Sequence, residues 1–130
     1  MSEGAHIRTP LARVRGKGSA KSGTGHFWHQ RLTAVANIPL TIAAIIVIIT
    51  LLGRNQAAVA QILGSPAVAI IMLLFVASIT THMRLGMAVI IEDYVHDESA
   101  KLALLMANTF FTIAVALAAV YGILKLSFGL

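Results

Sequence analysis

The chain has 130 residues, of which 58% are hydrophobic and 12% charged, with a formal net charge of +5 and a mean hydropathy of +0.85. A soluble domain carries about 45–50% apolar residues, so this composition is that of a small membrane protein with no soluble domain. There is no cysteine, which excludes disulfides, thiolate metal sites, iron-sulfur ligation and cysteine nucleophiles on this chain; a metal or cofactor would be held by His, carboxylate or backbone.

Residues 1–25 are basic, rich in Gly, Ser, Lys and Arg, and show no apolar periodicity. They are expected to be a flexible cytoplasmic segment. The pI near 10.3 reflects positive charge concentrated ahead of the first apolar run, at Arg8, Arg13, Arg15, Lys17, Lys21 and Arg31. Anchoring on the cytoplasmic side and attraction to anionic lipid account for it, so no nucleic-acid partner is expected.

A hydrocarbon core about 30 Å thick needs about 20 helical residues to cross it. Three windows are long enough, at about 32–52, 66–91 and 102–126, within a membrane unit covering residues 26–130. Pro39 in the first window predicts a kink, because it lacks a backbone donor and crowds the preceding turn. The small residues of AAVAQ, 57–61, are spaced like a signal-peptidase site. The apolar run before them nevertheless exceeds the roughly 7–15 residues of a signal peptide, so the first helix is expected to be retained.

Two polar stretches separate the windows: a hinge, GRNQAAVAQILGS, and an acidic loop, EDYVHDESAK. The expected fold is therefore all-α, with three transmembrane helices. The Lys and Arg distribution puts the N-terminus and the second loop in the cytoplasm and Leu130 on the far side.

Ser78, His82 and Gly86 lie at i, i+4 and i+8 of the second window, nearly on one side of a helix. Asp93, eleven residues after His82, falls about 20° from the same line and roughly 16 Å along the axis. An ionisable ring at this depth requires a partner. Two readings stand: an axial ligand to haem iron, with the small neighbours leaving space for a flat group, or an interhelical hydrogen bond to a carbonyl or to a hydroxyl such as Thr80 or Thr81.

Arg84 points about 160° away from His82. It either meets an anion, such as a cofactor propionate, or snorkels to headgroups. Glu92, Asp93 and Tyr94 close the window with two acids and a phenol. They form either a solvated, aromatic-belted helix end or a site for the headgroup of an amphiphile. In the third window Ala114, Ala118 and Gly122 form a small-residue stripe suited to close helix approach, and Asn108 can bond across an interface. Both features serve either a partner chain or contacts among the three helices.

The spacing H-x3-G-x6-D-Y, in HMRLGMAVIIEDYVH, resembles the second helix of the hydrophobic membrane-anchor D subunits of succinate dehydrogenase, respiratory complex II, in their alphaproteobacterial and mitochondrial-like form. The upstream GHFWHQRLTAVAN is similar to the approach to that family's first helix. The resemblance implies that His82 is one axial ligand of a haem b shared with a His of a C-type companion anchor subunit. It further implies that Arg31 faces a haem propionate; Arg84, counted with the cofactor site, stands where many members of that family carry a non-basic residue. Tyr94 would bond a ubiquinone carbonyl, supported by Asp93.

The implied partners are the companion anchor, an iron-sulfur subunit, a flavoprotein subunit, quinone and membrane lipid, in the bacterial inner membrane. The chain would help to pass electrons from succinate to quinone and would hold no succinate site itself. Competing expectations are the anchor of a fumarate reductase, a structural or pore-forming three-helix protein without pigment, and a small transporter. The transporter would require a polar path across the bilayer or an inverted repeat; the polar groups here gather on the cytoplasmic half.

Overall fold

The computed structural model describes residues 9–15 and 23–129. Its helices are α1 (Pro10–Arg15), α2 (Thr24–Leu51), α3 (Gln56–Gly64), α4 (Pro66–Tyr94) and α5 (Glu98–Ser127). By length and composition α2, α4 and α5 can each cross a membrane. The expectation of an all-α protein with three spans holds.

The helix limits follow local chemistry more closely than the apolar windows do. α2 begins at Thr24, well before the apolar run, because a helix continues into the headgroup region where polar side chains are tolerated. It continues through Pro39. Of the segment expected to be flexible, Pro10–Arg15 form α1 and Thr24 and Gly25 open α2; residues 1–8 and 16–22 lie outside the described residues.

The first polar stretch is not a simple hinge. Gly53 makes the turn after α2 with φ +72, in the left-handed region that glycine adopts without a Cβ penalty. The Asn55 side chain then accepts from the Ala58 N–H at 2.9 Å and starts α3. α4 follows with Pro66 in its first turn, where a missing N–H has no consequence.

The second loop shrinks to residues 95–97, because Glu92, Asp93 and Tyr94 complete α4. Asp97 accepts from the Ala100 N–H at 2.7 Å and caps α5. Glu98 in the first turn of α5 and Lys125 in the last match the helix dipole.

α4 is the middle helix. It packs against α2 on one side and α5 on the other, while the backbones of α2 and α5 do not approach each other closely among the described residues. α3 lies across one end and touches all three. Three helices in a row enclose little, so the core is a thin seam of Ala44, Val47, Ala69, Val76, Leu85 and Ile91. No residue of α5 is buried.

Close approach depends on particular residues. A Cβ built on Gly64 would stand 2.7 Å from the Leu126 carbonyl oxygen, and the Ser127 hydroxyl donates to the Gly64 carbonyl at 3.3 Å. Asn108 Nδ2 donates to the Arg84 carbonyl at 3.0 Å and ties α5 to α4, so its cross-helix bond is made within the chain. The small-residue stripe of α5 is not used that way: Ala114 and Ala118 are exposed and a Cβ on Gly122 would meet nothing within 4 Å.

Two mutational outcomes follow from these contacts. Gly64→Ala should destabilise the α3–α5 contact by about 1–3 kcal/mol and lower the thermal midpoint of the detergent-solubilised protein, while Gly122→Ala, in a helix interior with open space for its Cβ, should leave it unchanged or raise it. Asn108→Leu should reduce stability by about 0.6–1.7 kcal/mol, the range of single interhelical hydrogen bonds in membranes, measured in the same melting experiment.

Candidate functional site

The polar side chains of α2 that face α4 recur at helical spacing. His26, Gln30, Thr33 and Asn37 sit at i, i+4, i+7 and i+11, which places them along one stripe. Across from them α4 presents its own stripe of Ser78, His82 and Gly86.

The two stripes are joined by hydrogen bonds. The Thr33 hydroxyl lies 3.1 Å from His82 Nδ1, and the Ser78 hydroxyl donates to the Thr33 carbonyl at 3.4 Å. The hydroxyl partner of His82 is therefore Thr33 of α2, in place of the expected Thr80 or Thr81. Those two donate to the Val76 and Ala77 carbonyls of their own helix, at 2.6 and 2.7 Å, a local bond always within reach of a helical threonine.

Above this tie the helices part around a cavity of about 340 Å³, lined by His26, Phe27, Gln30, Arg31, Ala34, His82, Leu85 and Val89. Gly86 stands beside Gln30 of α2, where a Cβ would lie 3.6 Å from Gln30 Nε2, an ordinary contact distance. Gln30 Oε1 and Asn37 Oδ1 are buried without a hydrogen-bond partner, so the stripe carries polar capacity that the described chain does not satisfy. Arg31 stacks on the Phe27 ring, its guanidinium carbon 4.3 Å from the centroid. Phe27 in turn meets Trp28 edge to face, with centroids 6.2 Å apart.

His82 Nε2 has no hydrogen-bond partner among the described residues, so one ring nitrogen is held and the other is available. Among those residues no three His, Asp or Glu side chains gather as a metal-binding group. A metal at His82 would have to bring most of its other ligands with it.

Of the residues expected to form a cofactor site, His82 and Arg31 line one cavity. Arg84 lines others, one shared with His26, Glu92, Asn108 and Thr109 and one with Thr80, Thr81 and Thr112. Buried Leu85 contributes to the first two of these three cavities. The azimuth of Arg84 on α4 is the cause, since two residues turn a helix by about 200°. The carboxylate of Glu92 in the same cavity wall is a candidate counter-ion from this chain.

Asp93 and Tyr94 stand at the end of α4, exposed, Tyr94 to 78%. They lie roughly 16 Å along the axis from His82. Among the described residues nothing covers the phenol. His29 Nδ1 bonds the Gly25 carbonyl at 2.7 Å, and Asp97 serves as a helix cap. His29 also lines a cavity with His26, Thr81, Arg84 and Leu85.

Gln30, Thr33 and His26 were not singled out from the sequence as members of the site. Their signal was the polar spacing on α2, of the same kind as that read on α4.

The chain matches the family of succinate dehydrogenase/fumarate reductase transmembrane subunits over residues 6–116. It is 34% identical over 121 residues to the succinate dehydrogenase hydrophobic membrane anchor subunit of Paracoccus denitrificans, covering 93% of each chain. It is 32% identical over 109 residues to the protein of the same name from Rickettsia bellii (strain RML369-C), covering 82% of this chain and 86% of that one. No solved structure gives a significant match. A multi-pass helical chain with this extent of likeness belongs to the succinate dehydrogenase/fumarate reductase transmembrane subunits, among the hydrophobic membrane anchors of succinate dehydrogenase.

Proposed function

We propose that this chain forms one half of the membrane domain of a succinate:quinone oxidoreductase in the bacterial inner membrane, where it helps to hold a haem b and a ubiquinone. The observation that carries the proposal is the α2–α4 cavity, in which His82 is fixed through Nδ1 and Arg31 lines the same wall. The residues present fit a haem. The imidazole has a free nitrogen facing the cavity that Arg31 also lines, and a guanidinium suits a carboxylate such as a haem propionate. A porphyrin would bring the further ligands that the described residues do not gather. Bound haem would supply a one-electron site beside the quinone.

The likeness to the membrane-anchor family supports a further ligand from a C-type companion anchor; among the described residues His82 and His26 are the imidazoles that line the cavity. His26 lies at its outer end, in the first turn of α2.

Quinone reduction takes two electrons and two protons at the membrane surface. The Tyr94 phenol can donate to a quinone carbonyl oxygen, and Asp93 beside it can orient the site or exchange protons with water. Both groups occupy the last turn of α4, at the depth an amphiphile's headgroup reaches. Their exposure fits a site completed by neighbouring subunits, an iron-sulfur subunit that delivers electrons and a companion anchor that closes the pocket. A flavoprotein subunit would carry succinate oxidation.

The basic N-terminal segment supports a cytoplasmic N-terminus, which puts Tyr94 on the side where such peripheral subunits assemble. The names of both relatives favour succinate oxidation over fumarate reduction as the direction of turnover.

The test is purification through a tag on this chain, followed by assay of succinate-driven ubiquinone reduction. We expect a complex containing flavin, iron-sulfur clusters and the tagged chain, with that activity. In it, Tyr94→Phe should lower ubiquinone reduction by about 100-fold or more, the scale of one positioned proton donor, while subunit composition and haem content stay the same. Isolation of the chain without flavin or iron-sulfur subunits would overturn the assignment. Full ubiquinone reduction by an assembled Tyr94→Phe complex would remove the phenol from the site.

A further inference from the structure

The hydroxyl of Thr33 touches three acceptor-capable atoms with one proton to give. Its Oγ1 lies 2.7 Å from the His29 carbonyl oxygen, 3.2 Å from the Gln30 carbonyl oxygen and 3.1 Å from His82 Nδ1. Carbonyl oxygens can only accept, whereas a neutral imidazole nitrogen either donates or accepts, and a hydroxyl keeps two lone pairs after donating. The shortest contact takes the proton, so Thr33 donates to His29. The contact with the ring is then made by an Nδ1–H that donates to a Thr33 lone pair.

A neutral histidine carrying its proton on Nδ1 has its lone pair on Nε2. We propose that Thr33 is the positioning residue that selects this tautomer of His82, presenting Nε2 as the ligand nitrogen for the haem iron. The inference rests on the preceding reading of His82 as a haem ligand, and it adds a partner on the other helix.

Three features make Thr33 suited to the task. Among the described residues it is the only hydrogen-bond partner of His82, since the Thr80 and Thr81 hydroxyls are committed to carbonyls of α4. It is half-buried and β-branched, so few rotamers compete with the observed one. Its own carbonyl accepts from Ser78 one turn before His82, so the same turn of α2 is fastened to α4 through both backbone and side chain.

An N–H donated from the distal nitrogen makes a ligating imidazole more basic, which favours the ferric over the ferrous state. Removal of the acceptor should therefore raise the haem potential and weaken retention of the group. Thr33→Val preserves the shape and removes the hydroxyl; Thr33→Ser preserves the hydroxyl and removes the methyl.

In the purified complex, Thr33→Val should shift the midpoint potential upward, alter the ferric low-spin paramagnetic resonance signal, and speed haem transfer to a competing apoprotein by about tenfold or more. Thr33→Ser should match the wild type in all three. Should Thr33→Val fail to assemble, Thr33→Ala removes the same hydroxyl and is measured identically. An unchanged potential and signal in the hydroxyl-less complex would overturn the proposal, as would a Thr33→Ser complex altered to the same degree. A wild-type complex without haem would instead defeat the reading of His82 on which the proposal stands.

Discussion

A polar side chain within hydrocarbon has no water to fall back on, so it must find its partner inside the protein or bring one from outside. In this chain that requirement falls on α4. Among the described residues, each side-chain hydrogen bond linking two of the three long helices involves it: Thr33 with His82, Ser78 with the Thr33 carbonyl, and Asn108 with the Arg84 carbonyl. The central place of α4 in the row follows from the same distribution, because polar groups on two of its sides need a neighbour on each. The azimuth of each group then decides its surroundings. His82 faces α2 and shares a cavity with Arg31, while Arg84 lies in cavities it shares with Glu92, Asn108 and the threonines of α4 and α5.

Much of this was legible in the sequence, and the exceptions have definite causes. The three spans were visible because about 20 apolar residues leave little else for a segment to be. α3 was obscured because GRN and GS flank it like a turn, although Asn55 followed by QAAVAQIL carries a cap and good helix formers. His82 stood out as an ionisable residue within an apolar run, and its separation from Arg84 followed from helix geometry. Its partner did not follow, since the nearest hydroxyls in sequence belong to Thr80 and Thr81, whose local carbonyls already engage them. Thr33 is 49 positions away, and only the packing of α2 on α4 brings it within reach.

The chain is built as part of something larger. No residue of α5 is fully buried, and the Ala114, Ala118 and Gly122 stripe looks outward. Gln30 and Asn37 retain buried oxygens without partners, and the cavity at His82 is bounded by two helices only. An isolated globular protein would have closed these surfaces upon itself. In a transmembrane subunit such surfaces are open to lipid and to the other subunits of the complex. The terminal turn of α4 shows the same economy, with a phenol and a carboxylate exposed where a neighbouring subunit can complete a site.

The central claim is that His82 binds haem iron in the cavity beside Arg31. The most direct measurement is a reduced-minus-oxidised visible spectrum of the detergent-purified complex, set beside that of an assembled His82→Ala complex. The account predicts a b-type haem signal in the first that is lost or displaced in the second, with the same subunits present in both. A signal unchanged by the substitution would contradict it, leaving His82 a structural histidine held by Thr33.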